Sequence, residues 1–299
     1  MSLLAVGTLA FDSIETPFER RSEVLGGSAT HFAYAARLFG PVDLVGVVGT
    51  DFPAASLRHF RALGIGVRGI ESAPGKTFRW SGRYEADWNT RHTLDTQLNV
   101  FANFDPKVPE PLRAARFLFL ANAQPAVQMR ALEQVRAPHL VVADTMNLWI
   151  DTKLGELEVL LRRIHGLVLN EEEARMLTGR RNLFQAARLL LEKGPRFVIL
   201  KKGEHGAFLL GRDVRFALPA YPVEDVVDPT GAGDSFAGGF MGYLAALGRT
   251  EPADLRRAML YGTVTASHCV EGFGVEGLEP VDRARLDRRF QELALLVTP

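Results

Sequence analysis

The sequence predicts an α/β protein with a mostly parallel, helix-covered sheet and a small separate β sheet. Short, continuously apolar runs of strand length alternate along the chain with segments of helical periodicity. Such runs suit strands buried on both faces. Repeated strand–helix alternation then calls for a parallel sheet with helices on both sides. One segment, residues 77–88, instead alternates residue by residue, as an antiparallel strand with one aromatic and one wet face does.

The elements follow in order. Residues 3–10 form the first strand, which ends near Asp12. Residues 26–39 read as a helix with a Gly26-Gly27 start and a Gly40-Pro41 stop. A buried strand at 42–48 precedes a helix at 52–63, capped by Thr50 or Asp51 with Pro53 in its first turn. Further strands fall at 117–120, 140–143, 167–169 and 197–200, and helices at 126–136, 154–163 and 183–192 separate them. Residues 207–210 and 214–218 flank Gly211-Arg212-Asp213 as a hairpin. The last helical pattern spans 254–267.

Within 77–88, Phe78, Trp80, Gly82, Tyr84, Ala86 and Trp88 share one face. Thr77, Arg79, Ser81, Arg83, Glu85 and Asp87 share the other. Asn89-Thr90 is a turn, and Leu94, Thr96, Leu98 and Val100 carry the less polar face of a second strand. A lone hairpin is marginal and must cover something; residues 13–25 supply a partner strand. The expected division is a core of residues 1–12, 26–75 and 102–299 and a β lid of residues 13–25 and 76–101. The aromatic face either closes on substrate or forms a homodimer contact.

At 299 residues the chain is one large domain, or a domain with an appendage. Its 35 basic and 35 acidic residues cancel, so no global field recruits nucleic acid or membrane, and neither partner is expected. Cys269 is the only cysteine, which rules out an intrachain disulfide, and no Cys/His cluster suggests zinc. The first residues lack a basic region before a long apolar run and read as a strand. No stretch is long enough to span a bilayer, so a cytoplasmic protein is expected.

The chemistry centres on residues 226–240, Val-Val-Asp-Pro-Thr-Gly-Ala-Gly-Asp-Ser-Phe-Ala-Gly-Gly-Phe. Each glycine inside a helix costs about 1 kcal/mol relative to alanine. Gly231, Gly233, Gly238, Gly239 and Gly242 must therefore gain something, and close backbone approach is the expected gain. Open N–H groups at a helix start, reinforced by the helix dipole, attract an anion. Asp234 in that first turn suits a general base beside a phosphate; the alternative is a helix cap.

The string Asp-x-Thr-Gly-Ala-Gly-Asp-Ser-Phe at 228–236 resembles the C-terminal signature of ribokinase-like (PfkB) carbohydrate kinases, and the resemblance extends over essentially the whole chain. It implies a three-layer sandwich with a small β lid. The implied activity is ATP-dependent phosphoryl transfer to a hydroxyl of a small molecule. A sugar is the first expectation and a nucleoside the alternative; a non-catalytic ligand-binding relative differs in class. By the resemblance, Gly231, Ala232 and Gly233 form the anion hole and Asp234 is the catalytic base. Asp228 matches a position that in some members helps hold a monovalent cation such as K⁺. Asn170 in Asn170-Glu171-Glu172-Glu173 would reach the nucleotide phosphates, and Glu173 would order Mg²⁺ through water. Gly203 and Gly206 match a nucleotide-contacting loop, with Lys201 and Glu204 beside it. The adenine pocket would lie near 268–274.

At the substrate end, Asp12, Gly26 and Gly27 would face sugar hydroxyls. The chain departs from the family pattern at His31, where Asn is usual, and at Ser28, where ribokinases carry Lys, so ribose is a poor fit. Arg79 and Arg83, on the wet face of the lid strand, weigh against a phosphosugar. No Gly-x-x-x-x-Gly-Lys-[Ser/Thr] or early Gly-x-Gly-x-x-Gly is present, which removes P-loop kinases and dinucleotide enzymes.

Overall fold

The structure is a computed structural model that describes residues 2–298. The chain runs β1 (Leu3–Val6), β2 (Ala10–Glu15), β3 (Arg20–Gly26), α1 (Ser28–Ala36), β4 (Val42–Gly49), α2 (Ala54–Ala62), β5 (Ile65–Ala73), β6 (Phe78–Tyr84) and β7 (Arg91–Gln97). It continues with β8 (Phe117–Leu120), α3 (Pro125–Gln134), β9 (Leu140–Asp144), α4 (Asn147–Thr152), α5 (Leu154–Leu161), β10 (Gly166–Asn170), α6 (Glu171–Thr178) and α7 (Leu183–Glu192). Last come β11 (Phe197–Lys201), β12 (Ala207–Gly211), β13 (Arg215–Leu218), α8 (Ala232–Leu247), α9 (Pro252–Cys269) and α10 (Arg283–Val297).

Nine strands form the main sheet in the order β13-β12-β11-β10-β9-β8-β1-β4-β5. All neighbours are parallel except β11–β12 and β12–β13. Alternate residues feed two cores. Leu3, Ala5, Phe117 and Phe119 join the layer that includes α1, α8, α9 and α10, while Leu4, Val6, Leu118 and Leu120 join the layer of α3, α5, α6 and α7. The strand order reverses at β1, with β4 on one side and β8 on the other. Open α/β sheets bind ligands beyond the strand ends at such a point. There the Ser28 hydroxyl lies 2.9 Å from the Thr8 hydroxyl and donates to the Asn122 carbonyl at 3.4 Å.

A second sheet, ordered β3-β2-β6-β7, forms the lid. β6 pairs antiparallel with β7 but parallel with β2. Ile14 and Tyr84 of the lid share a small apolar cluster with Phe273 of the core. Among the described residues, no helix is long and apolar enough to cross a membrane.

Several boundaries differ from the sequence expectation. The apolar run at 3–10 is not one strand. β1 stops at Val6 and the chain changes sheets, so Ala10 and Asp12 belong to lid strand β2. Neither Thr50 nor Asp51 caps α2, which starts after Pro53 without a side-chain cap. Asp51 instead accepts hydrogen bonds from the Thr77 amide and hydroxyl at 2.8 and 2.7 Å and from Arg79 at 2.8 Å, tying core to lid. The second lid strand ends at Gln97, and Asn99–Asn103 is a 3₁₀ turn that takes Val100 out of the strand. β5, α4 and α10 have no counterpart in the sequence reading.

The glycines of α8 divide into two groups. A Cβ on Gly238 would meet the Phe32 carbonyl oxygen of α1 at 2.3 Å, and one on Gly239 would meet Thr265 Oγ1 of α9 at 2.4 Å. These positions allow helices to pack closely and do not face a ligand. Gly238→Ala should therefore destabilise the fold by about 1–3 kcal/mol through overpacking, read as a lower Tm. Gly155→Ala in α5, where an added Cβ has no neighbour within 4 Å, should keep or raise the Tm. A Gly238→Ala variant as stable as the parent would refute the packing role.

Candidate active site

A cavity of about 1240 Å³ separates the lid from the C-terminal edge of the main sheet. A single small ligand usually occupies about 300–1,000 Å³, so two substrates can share this one. The α8 N-terminus forms one wall. Gly231 precedes the helix at φ 75°, where the His31 ring fills the space a Cβ would need, 2.3 Å away. Only glycine suits that position.

The first amides of a helix have no intrahelical acceptor. Here the Ala232 amide donates to the Pro229 carbonyl at 3.2 Å, closing a turn. Among the described residues the amides of Gly231, Gly233 and Asp234 have no acceptor. The open set thus differs from the expected Gly231, Ala232 and Gly233, because the proline turn engages Ala232. The Asp234 carboxylate lines the cavity, half-buried, and no hydrogen bond to it is found among the described residues. Burial, with repulsion from Asp144, holds its pKa well above the usual carboxylate range, and Lys201 opposes the shift.

Three strand ends converge beside it. Lys201 closes β11 in register with Asn170 of β10. Its Nζ lies 3.3 Å from Oδ2 of Asp144 at the end of β9. Burial works against the ammonium, but Asp144, Glu173 and Asp234 outweigh it and raise its pKa. Asp144 is 5% exposed and escaped the sequence reading. The available signal was a carboxylate ending a wholly buried parallel strand. Asn170 and Glu173 form a reciprocal capping box at α6: the Glu173 amide donates to Asn170 Oδ1 and the Asn170 amide to Glu173 Oε2, both at 2.8 Å. Burial and the nearby Asp144 push Glu173 up to about 7. Gly203 and Gly206 bound a short turn, and Glu204 there accepts from Asn89 at the lid tip at 3.1 Å.

At the other end Asp12 is buried. Burial, against a 3.4 Å bond from the Gly27 amide, pushes its pKa up to about 7. A Cβ on Gly26 would lie 1.9 Å from Asp12 Oδ2. Gly26 therefore accommodates this carboxylate and does not face the cavity as expected, whereas Gly27 does line it. His31 is 1% exposed, its Nε2 has no partner, and burial lowers its pKa to about 4, so the ring is neutral at pH 7. Asp228 is fully buried outside the cavity lining. It accepts the Thr230 amide at 2.8 Å and the Gly274 amide at 3.2 Å, stapling two loops together.

The aromatic lid face, including Phe78, Trp80, Tyr84 and Trp88, lines the cavity. Arg79 pairs with Asp51 and Glu23, and Arg83 with Glu15, on the opposite face. Arg91, which the sequence reading passed over, also lines the cavity and stacks on Trp80 at 5.8 Å.

The model of the pfkB family carbohydrate kinases matches residues 6–281. The chain belongs to this family. It is a phosphotransferase with an alcohol group as acceptor, built on the ribokinase fold. It is 30% identical over 259 residues to a cytidine kinase of Thermococcus kodakarensis, a match that covers 85% of this chain and 91% of the relative. It is 27% identical over 318 residues to a nucleoside kinase of Methanothermobacter thermautotrophicus, covering 96% and 95%. The Burkholderia thailandensis nucleoside kinase, solved with inosine, superposes with a TM-score of 0.80 at 22% identity over 98% of both chains. A putative ribokinase II of E. coli, solved with ATP and Mg²⁺, gives 0.80 at 20% over 97% and 99%.

Asp12 allows a stability test. Its pKa rises on folding from 3.8 to about 7, so the folded state binds this proton more tightly. The penalty for ionising it is absent below about pH 4, grows towards pH 7 and persists above. Asp12→Asn should match the parent's Tm near pH 4 and exceed it at about pH 8. A variant whose Tm falls below the parent's by more at about pH 8 than near pH 4 would show that the ionised carboxylate stabilises the fold.

Proposed function

We propose an ATP-dependent kinase whose acceptor is a hydroxyl of a nucleoside, in preference to a free sugar. The observation that carries the chemistry is the Asp234 carboxylate, without a hydrogen-bond partner among the described residues, beside open amides on the cavity wall. The aromatic lid face above it supports the choice of substrate, since flat rings bind a nucleobase by stacking. The relatives named cytidine kinase and nucleoside kinase support it too.

In this mechanism Asp12 and the Gly27 loop hold the ribosyl hydroxyls, and Trp80 and Tyr84 stack on the base. Asp234 takes the proton from the attacking hydroxyl. The raised pKa makes it a stronger base than an ordinary carboxylate. The amides of Gly231, Gly233 and Asp234, with the α8 dipole, steady the charge on the moving phosphoryl group. Lid strands β2, β3, β6 and β7 cover the two substrates and exclude water. A homodimer through the lid would use its outer face or its edges, because the aromatic face turns inward.

The donor set fits Mg²⁺. Glu173, Asp144 and Asp234 crowd negative charge that a divalent cation relieves, and Glu173 Oε1 accepts no hydrogen bond from the described residues. No group of three or more His, Cys, Asp and Glu side chains forms a cage among the described residues, and Mg²⁺ typically keeps its waters and takes one or two carboxylates. Bound there with ATP, it would neutralise phosphate charge. A K⁺ ion at Asp228 would have to use the lone pairs left by the two amides that the carboxylate already accepts.

A coupled ADP-release screen over nucleosides, sugars, sugar phosphates and inositols tests the reading. ADP release should depend on a nucleoside, and Asp234→Asn should lower kcat by about 10²–10⁴-fold. The acid limb of the kcat/KM profile should lie above the ordinary carboxylate range. Trp80→Ala should raise the nucleoside KM, by up to about 100-fold if stacking is worth 1–3 kcal/mol. Equal turnover of free pentose and nucleoside would remove the base subsite from the proposal.

A further inference from the structure

We infer that Lys201 contacts the transferring phosphoryl group as a catalytic cation, and that Asp144 is the positioning residue that aims it. The inference rests on the kinase reading above and deepens it.

The location comes first. Nζ of Lys201 lies 2.6 Å from where a Cβ on Gly233 would sit. The ammonium is therefore packed against the first turn of α8, whose open amides mark the anion position. The same cavity is lined by Lys201, Gly233 and Asp234. On the far side Asp144 Oδ2 holds the ammonium at 3.3 Å, and Asp144 is itself fixed by the Thr145 amide, which donates to Oδ1 at 2.8 Å. The cation thus stands between a fixed carboxylate behind and an anion-binding helix end in front.

The unused donors come next. An ammonium carries three. One reaches Asp144, and no second hydrogen-bond acceptor for Nζ is found among the described residues. A purely structural pair would be poorly built this way, since a buried ion pair gains little unless its remaining donors are satisfied. Phosphate oxygens at the α8 N-terminus would satisfy them.

Charge points the same way. Asp144, Glu173 and Asp234 surround one ammonium. Ionised, they leave an excess of two negative charges where a polyphosphate has to enter. Without Lys201 the excess would be three. Arg91, Arg175 and Lys202 also line the cavity, but Arg91 sits on an exposed lid strand stacked on Trp80, Arg175 pairs with Glu171, and the three atoms nearest a Cβ on Gly233 all belong to Lys201. In the transfer, the acceptor oxygen forms a bond to the γ-phosphorus and its proton passes to Asp234. The bond from that phosphorus to the β–γ bridging oxygen breaks, and its electron pair leaves with ADP. Lys201 offsets charge that grows on the moving group and the leaving oxygen.

The test uses Lys201→Met, Lys201→Arg, Asp144→Asn and the double variant Lys201→Met/Asp144→Asn. The readouts are kcat, acceptor KM and ADP affinity by calorimetry. Lys201→Met should lower kcat by about 10²–10³-fold, as loss of one transition-state donor does, while ADP affinity stays within about threefold. Lys201→Arg should recover part of the loss. Asp144→Asn should lower kcat in the Lys201 background and have little further effect in the Lys201→Met background, because it acts through the ammonium. Additive losses would make Asp144 a structural residue and overturn its role. A Lys201→Met enzyme with near-parental kcat would overturn the inference, as would a loss confined to ADP affinity. If Lys201→Met does not fold, Lys201→Arg and Asp144→Asn decide: both at parental kcat sinks the proposal, and both impaired with ADP affinity intact supports it. Absence of acceptor-dependent ADP release from the parent enzyme would sink the kinase reading itself and is thereby told apart.

Discussion

The structure is organised around a charge placed where charge is expensive. Among the described residues no donor reaches the Asp234 carboxylate, and burial raises its pKa. Such a group tends to neutralise unless something nearby favours its ionised form. Here the α8 dipole and Lys201 do so. The open amides of Gly231, Gly233 and Asp234 aim at the space in front of it. Moving α8 away from the sheet would separate these parts. That explains the demand for glycine at Gly238 and Gly239, which let α8 lie against α1 and α9. The packing of the core and the placement of the base are one constraint.

Lid and core are joined by specific polar contacts at both ends of the cavity. Asp51 binds Thr77 and Arg79 near one end. Tyr84 and Thr230 share a 3.2 Å hydrogen bond above the anion turn, and Asn89 reaches Glu204 at 3.1 Å across the cleft. Each contact but Asp51's touches a loop to which sequence reasoning gave a ligand role. These contacts tie the lid to the turns at Thr230 and Glu204 that line the cavity.

What could be read from sequence was what is local in sequence. Residues 228–236 carry turn, helix start and base within one short string, so their joint meaning needs no tertiary information. Phe78 to Tyr84 gave away the cavity-facing side of the lid because strand period is local too. Asp144 was invisible for the opposite reason: it matters only because β9, β10 and β11 place it beside Lys201, and parallel neighbours are far apart in the chain. β2 was misread because the apolar run through Leu9 and Ala10 stays buried while the chain changes sheets. α10 was missed because only Leu286, Phe290 and Leu293 are buried, the charged residues crowd its first ten positions, and the apolar Leu295 and Leu296 stay exposed. The glycine count pointed to close approach, but not to whether the approaching group is a ligand or a helix.

The site also holds several groups the fold alone does not satisfy. His31 Nε2 is sealed without a partner, and so are Thr145 Oγ1 and Asn147 Oδ1, all on residues that line the cavity. A buried polar atom left unpaired typically costs about 1–3 kcal/mol, and Asp12, Asp228 and Glu173 add carboxylates that burial disfavours. A chain selected for stability alone would replace these with apolar residues. Other sealed atoms without a partner among the described residues, such as Gln128 Oε1 and His268 Nε2, lie away from the cavity, so this cost is spread through the protein and is not confined to the site. The neutral His31 ring carries either a donor or an acceptor at its sealed Nε2, where the family's usual amide would carry both. His31 packs against Gly231, so this departure from the family pattern sits directly beside the anion turn.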